Sequence, residues 1–153
     1  YDWLTHSQVS AKVGGSIVYA DQQFQTAAKT FPEYAFFAFG MNDMGNYGGD
    51  EDAFVKKYKS LLKAFSETST DTTICVCSIS TPTAGAIKAN KSISHYIKFN
   101  KAIEKMCEDE GYIYVDIADI LPKHPELYAG DGIHAAPSYY PLWMDRMIEV
   151  SGM

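Results

Sequence analysis

Short apolar runs alternate along this chain with longer segments of helical spacing, and this alternation constrains the fold more than any other feature. Residues 34–39, 73–79 and 112–117 are β-rich runs of strand length. Residues 34–39 are continuously apolar, without polar alternation, which is typical of a strand buried on both faces of a parallel sheet. We therefore expect a parallel α/β architecture with helices on both faces of the sheet.

Helix signals lie between the apolar runs. Asp50 is a suitable N-cap for a helix over residues 51–66, because its side chain can accept from the free backbone N–H groups of the first turn. Ser92 can cap a long helix that Gly111 ends in the left-handed conformation. The same criteria predict two further helices, over residues 20–30 and 138–149, and a short strand over residues 9–13.

The size and charge of the chain limit the classes of protein to which it can belong. Its 153 residues, 46% of them hydrophobic, are enough for one domain with a sizeable core. Its net charge of −6 argues against nucleic acid or an anionic membrane as the main partner, because phosphate binding needs clustered Lys and Arg. Its apolar runs are all shorter than the roughly 18–20 residues that cross a bilayer.

The three cysteines do not make a disulfide framework. Cys75 and Cys77 are two residues apart in a predicted strand, so their side chains share one face and are poorly placed to bond each other. We expect them to be buried as small apolar residues. The redox compartment and the localisation of the protein stay undetermined.

Three glycine-containing polar segments lie beside the predicted strands and the last helix. Gly14-Gly15-Ser16 follows residues 9–13, and Gly40-Met41-Asn42-Asp43 follows residues 34–39. Asp131-Gly132-Ile133-His134 comes shortly before the closing helix. Each of them alone is ordinary turn chemistry. In a parallel α/β sheet, however, all three are expected at one edge, beyond the carboxyl ends of the strands, where ligands bind.

These segments contain the residue types that acyl chemistry needs. His134 can exchange protons near neutral pH, and Asp131 can orient its ring from three residues away. The Asn42 side chain and the Gly15 backbone N–H are both donors of the kind that stabilises an oxyanion. The other histidines have no partner at ligand spacing, so we predict no metal site; they are His6, His95 and His124.

The order and spacing of the segments resemble the SGNH hydrolase (GDSL-type esterase and lipase) superfamily over nearly the whole chain. In that family the second block supplies a glycine N–H, the third reads Gly-x-Asn-Asp and the fifth reads Asp-x-x-His. Gly15, Asn42 and the Asp131–His134 pair match these blocks, and Tyr139 stands where a glycine is usual near the last helix. The resemblance implies a flavodoxin-like three-layer α/β/α fold with strand order 2-1-3-4-5, and no metal or organic cofactor.

One family motif is missing from the chain, namely the Gly-Asp-Ser block that holds the nucleophile and follows the central strand. Ser16 is an alternative nucleophile, but it lies too close to Asn42 for the family spacing; Ser7 and Ser10 are weaker candidates. We therefore interpret residues 1–153 as a single SGNH-hydrolase domain that is incomplete at its N-terminus. We expect an upstream segment, or a separate piece, to supply the strand and the serine, with residues 1–4 as a remnant of the helix that follows.

The resemblance implies a serine ester hydrolase that removes a short acyl group from a small-molecule or glycan ester, for example acetyl from a carbohydrate. His134 would be the base, Asp131 would orient it, and Gly15 and Asn42 would hold the oxyanion. Two alternatives stay open: a carbohydrate O-acetyltransferase, and a non-catalytic glycan-binding module on a decayed hydrolase scaffold. Tyr47, in the loop after Asn42, is a candidate wall of the substrate cleft.

Overall fold

Three parallel strands form the sheet, and their order in space follows their order in the chain. They are β1 (Tyr34–Phe37), β2 (Thr73–Cys77) and β3 (Ile113–Val115). In this computed structural model, which describes residues 7–153, β2 is central and pairs with a neighbour on each side. The parallel pairing predicted from the apolar runs is confirmed.

Helices connect and flank these strands. The structure contains α1 (Asp21–Ala28), α2 (Asp43–Asn46), α3 (Glu51–Thr68), α4 (Ala84–Ala89), α5 (Tyr96–Glu110), α6 (Ile120–Lys123) and α7 (Tyr139–Ser151). Short 3-10 turns span Ile17–Tyr19, Lys91–His95 and Pro125–Leu127. None of the helices within residues 7–153 is both long and apolar enough to cross a membrane.

The predicted helix caps are correct at two positions and wrong at one. Asp50 accepts from the backbone N–H of Ala53 at the start of α3, and Gly111 ends α5 with a φ of 74°. Ser92, in contrast, does not cap α5. The Asn90 side chain accepts from both the N–H and the hydroxyl of Ser92, at 3.1 and 2.7 Å, and thereby places it inside a 3-10 turn.

Alternate residues of the strands enter two separate cores, which gives three layers. Val76 packs in one core with apolar residues of α1, α3 and α5, whereas Cys77 packs in the other with residues of α6 and α7. This alternation is the two-residue period of a strand covered on both faces. The three-layer α/β prediction is therefore confirmed.

The cysteines are buried, as the sequence suggested. Cys75 and Cys77 share one face of β2, and Cys107 lies in the core on the other face. Burial raises the pKa of Cys77 to about 12 and that of Cys75 to about 11, so both stay thiols at neutral pH. A role as apolar filling agrees with this environment.

The predicted strand over residues 9–13 is wrong. These residues form no ladder, and the side chains of Val9 and Val13 are 88% and 101% exposed. The physical reason is that a strand needs a neighbour: β1 is an edge of the sheet, and among residues 7–153 only β2 pairs with it. The predictions for residues 1–4 and His6 lie outside the described residues.

Candidate active site

Two pairs of predicted site residues lie beyond the carboxyl ends of the strands. Asn42 follows β1, and its partner is Gly15 in the loop before the first 3-10 turn. Asp131 and His134 lie in the loop that leads to α7, and this loop is bound to the segment after β2.

The Asp131–His134 pair has the geometry of a carboxylate that orients an imidazole. His134 Nδ1 and Asp131 Oδ2 are 2.5 Å apart, while Asp131 Oδ1 accepts from the backbone N–H groups of Ile133 and His134 at 2.9 and 3.0 Å. The bond to His134, followed by the two N–H donors, holds the pKa of Asp131 well below its ordinary value. A carboxylate that stays ionised requires Nδ1 to carry the proton, which leaves Nε2 as the basic nitrogen.

The His134 ring is open to solvent. Its side chain is 78% exposed and that of Asp131 is 47% exposed. Nε2 is therefore accessible to a substrate or to another segment of protein. The exposure also means that the electrostatic attraction within the pair is screened by water and adds little to stability.

The loop that holds the pair is fixed by backbone contacts. Tyr128 and Ala135 form an isolated antiparallel bridge across it, and the Tyr128 hydroxyl donates to the Thr81 carbonyl at 2.6 Å. Thr83 N–H donates to the Gly132 carbonyl at 2.9 Å. The segment after β2 thus sets the position of Asp131 and His134.

Gly132 is the position in this loop where a side chain cannot be tolerated. Its φ is +70°, and a Cβ would lie 2.1 Å from Thr83 Oγ1, an atom that also caps α4 by accepting from the N–H of Ala86. We expect Gly132→Ala to destabilise the protein by about 2 kcal/mol or more through backbone strain and loss of the cap. This corresponds to a fall of about 4–8 °C in the unfolding temperature measured by circular dichroism.

Gly130→Ala is the matched control for that prediction. Gly130 lies in the same loop and has no positive φ, and a Cβ at this position would point into open space. Its substitution should change the free energy of unfolding by no more than about 0.5 kcal/mol. Equal stability of the two variants would contradict the prediction that a side chain at position 132 clashes with Thr83 Oγ1.

The second pair joins Asn42 to the loop of Gly14, Gly15 and Ser16, which we call the glycine loop. Asn42 Nδ2 donates to the Gly15 carbonyl at 3.0 Å, and its side chain is exposed. The second N–H of this amide makes no hydrogen bond within residues 7–153. The Gly15 N–H, the other predicted oxyanion donor, donates to the Lys12 carbonyl at 2.9 Å in this structure.

Ser16 is buried and bound, which does not suit a nucleophile. Its hydroxyl donates to Asp43 Oδ1 at 2.6 Å and accepts from the Val18 N–H at 3.2 Å, and the residue is 5% exposed. Asp43 Oδ1 also accepts from the Ile17 N–H at 2.9 Å. Burial raises the pKa of Asp43, and the bonds from Ser16 and Ile17 oppose this shift.

The two pairs are linked through the strand ends. Gly40, which precedes Asn42, has a φ of +130° and lies so close to Ile79 that a Cβ would be 2.5 Å from Cδ1 of that side chain. Ile79 in turn belongs to the segment after β2 that carries Thr81 and Thr83. Among residues 7–153 no hydrogen bond joins Asn42 or Gly15 directly to Asp131 or His134.

Tyr47, which was singled out from the sequence, and the acidic residue Asp119 both occupy ordinary structural positions. The Tyr47 ring packs edge-on against Phe54 with centroids 5.9 Å apart, and the residue is half-buried. Asp119 binds Lys123 and Arg146, which lower its pKa to about 2. Within residues 7–153 no group of three or more His, Cys, Asp or Glu side chains is placed to hold a metal ion.

The contacts by which three residues hold the site were not predicted from the sequence. Asp43 and Ser16 join the two loops of one pair, and Thr83 supports the loop of the other. Ser16 and Asp43 are 27 residues apart, and Thr83 and Gly132 are 49 residues apart. No local pattern therefore indicates these contacts. Only the position of Asp43 directly after Asn42 offered a signal.

The structure defines the class of protein to which the chain belongs: a parallel three-layer α/β fold with an Asp-bound histidine in the loop before its last helix. Within this class, the sequence matches the profile of the GDSL-like Lipase/Acylhydrolase family over residues 3–140. The chain therefore belongs to that family. A search of the curated proteins finds no sequence that matches this chain.

Solved structures of esterases share the fold. One is described as a GDSL-like lipase from Parabacteroides merdae, with a TM-score of 0.76 and 19% identity over 91% of this chain and 69% of that one. An acetyl xylan esterase has a TM-score of 0.71 and 16% identity, over 89% and 76% of the two chains. An acetylxylan esterase from Geobacillus stearothermophilus has a TM-score of 0.66 and 12% identity, over 92% and 69%.

Proposed function

We propose that this chain carries the base, the orienting acid and the oxyanion donors of a serine ester hydrolase, and that the nucleophilic serine lies on a segment outside this sequence. The single observation that carries the proposal is the 2.5 Å contact between Asp131 Oδ2 and His134 Nδ1, with His134 Nε2 open to solvent. An ionised carboxylate on one ring nitrogen leaves the other as a base, which is what activation of a serine hydroxyl requires.

The proposed reaction proceeds by acyl transfer in two stages. His134 Nε2 takes the proton of the serine hydroxyl as its oxygen attacks the ester carbonyl, and then delivers that proton to the leaving alcohol. In the second stage His134 activates a water molecule in the same way, and the acyl–serine bond is hydrolysed. Asp131 keeps the ring in the productive tautomer and stabilises the imidazolium that forms in each stage.

The free amide N–H of Asn42 is the first proposed oxyanion donor. Its other N–H is bound to the Gly15 carbonyl, so the amide plane is fixed while one donor stays available. The Gly15 N–H is the second proposed donor, and it becomes available when it leaves the Lys12 carbonyl. Each donor of this kind contributes about 10²–10³ in rate.

Within residues 7–153 the outer edge of β1 is unpaired, and this supports the assignment of the nucleophile to another segment. Strands leave their outer backbone groups unsatisfied unless a neighbour pairs with them, and an added strand here would enter the sheet beside Asn42. Val9 and Val13 are exposed on the segment that would then gain a partner. Ser16 is unsuited to the role, because its hydroxyl is buried against Asp43.

The proposed substrate is a short acyl ester, with acetylated carbohydrate as the leading class. Two of the similar structures are named acetylxylan esterases, which supports the same class of substrate. Acetyl transfer to a sugar is distinguished from hydrolysis by product analysis with an acceptor sugar present.

The test of the nucleophile is covalent labelling with a fluorophosphonate. The sample is the complete polypeptide or complex that contains this chain and the nucleophile-bearing segment, called the active enzyme below. We expect peptide mapping to find the label on a serine outside residues 1–153, and we expect the isolated chain to stay unlabelled. Label on Ser16, or an open reading frame that begins at Tyr1 with no such segment, would contradict the proposal. Complete absence of labelling would favour a non-catalytic glycan-binding module.

A further inference from the structure

Asp43 is a fully buried carboxylate that the proposed reaction does not use. Burial of a charged group is costly, and an apolar side chain of similar size would avoid that cost. Its Oδ1 is nevertheless engaged twice, by the Ser16 hydroxyl at 2.6 Å and by the Ile17 N–H at 2.9 Å. Stability alone therefore does not explain why a charged group occupies this buried position.

The contacts of Asp43 belong to a regular pattern between two loops. Two consecutive residues after β1 bind three consecutive residues at the end of the glycine loop and the start of the 3-10 turn after it. Asn42 binds the Gly15 carbonyl, and Asp43 binds Ser16 and Ile17. We call this set of hydrogen bonds the loop clasp. It joins the loop of one proposed oxyanion donor to the loop of the other.

We infer that Asp43 is a positioning residue, which through the loop clasp sets the separation of the Asn42 amide and the Gly15 N–H. The inference rests on the proposed function and adds a residue to it without changing the reaction. Oxyanion donors must lie about 2.7–3.1 Å from the developing charge. A misplacement of about 1 Å can cost about 100-fold in rate, so a rigid connection between the donors has a large effect.

Both ends of the loop clasp are fixed in the fold, so the loop clasp can set the position of one donor relative to the other. On one side, the N–H groups of Asp43 and Met44 donate to the Gly40 carbonyl at 3.0 and 3.1 Å, and Gly40 is held against Ile79. On the other side, Ile17 is completely buried in the core. The loop clasp thus links a fixed turn to a fixed core residue, with the two donors beside it.

The first test measures kcat and KM separately in the active enzyme. We expect Ser16→Ala to lower kcat about 10- to 100-fold with little change in KM, because donors to the oxyanion act in the transition state more than in the bound substrate. Asp43→Ala should have at least the same effect. Asp43→Asn retains an oxygen for Ser16 and Ile17, so it should restore most of the lost kcat.

Asp50→Ala is the matched control for a merely structural effect. It removes an Asp side chain that accepts one backbone N–H at the start of α3, and so it lowers stability without touching the glycine loop. We expect its kcat to stay at the level of the unmodified enzyme. Folded Ser16→Ala and Asp43→Ala variants with unchanged kcat would overturn the inference.

A double-substitution cycle separates positioning from independent damage. If the loop clasp acts through Asn42, the fold-loss in kcat caused by Asn42→Ala should be much smaller in the Ser16→Ala background than in the unmodified enzyme. Fold-losses that simply multiply would contradict the inference. His134→Ala separates failure of this inference from failure of the proposed function. If His134→Ala is inactive while the clasp variants are fully active, only the role of Asp43 is rejected. If His134→Ala is fully active, the proposed function itself is rejected.

Discussion

Replacement of His134 by alanine is expected to abolish ester hydrolysis by the active enzyme, with a fall in kcat of about 10⁶-fold. The variant lacks the only group in the proposed reaction that moves a proton, both from the serine and to the leaving alcohol. The side chain is 78% exposed, so its loss should leave the unfolding temperature nearly unchanged. Hydrolysis of p-nitrophenyl acetate, followed with the purified variant, provides the measurement.

His124→Ala is the matched control for this result. His124 is also a histidine beside a carboxylate, with Nδ1 3.5 Å from Glu126 Oε1, but it lies at the end of α6 and outside the proposed site. The control variant should hydrolyse the ester at the rate of the unmodified enzyme. Full activity of His134→Ala would refute the assignment of the base.

Asp131→Asn is expected to lower kcat about 10⁴-fold while the protein stays folded. The asparagine oxygen can still accept from the N–H groups of Ile133 and His134, so the loop keeps its hydrogen bonds. Its NH₂ group would then face His134 Nδ1 and donate to it. That bond favours the tautomer with the proton on Nε2, which cannot accept a proton from serine.

Asp119→Asn serves as the control for the loss of a carboxylate with a low pKa. Asp119 binds Lys123 and Arg146, and within residues 7–153 none of its hydrogen bonds reaches the His134 loop. Its substitution should weaken these contacts without effect on kcat. If Asp131→Asn hydrolyses the ester as fast as Asp119→Asn, Asp131 does not orient the base.

Much of the fold could be predicted because its signals are local. The continuous apolar run of residues 34–39 indicates a strand, and the N-cap of Asp50 and the left-handed Gly111 are short-range features. The strand over residues 9–13 could not be judged in this way. Whether a β-competent segment forms a strand depends on a neighbour to pair with, and the described part of the chain offers none.

The same distinction between local and long-range contacts applies to the candidate site. The contact of Asp131 with His134 spans three residues and a glycine turn, so its spacing alone suggested it. The bonds of Asp43 to Ser16 and of Thr83 to the Gly132 loop join segments far apart in sequence. No periodicity or spacing encodes such contacts, because they arise only when separate elements pack together.

The sequence by itself therefore determined the parallel α/β class, the position of the polar segments at the ends of the strands, and the Asp131–His134 contact. Only the tertiary structure decided that Ser16 is buried, that Asp43 joins the two loops, and that β1 is an edge. The physical reason is the distance along the chain over which each effect acts. Propensity, periodicity and short turns act over a few residues, whereas burial and strand pairing depend on which distant segments meet.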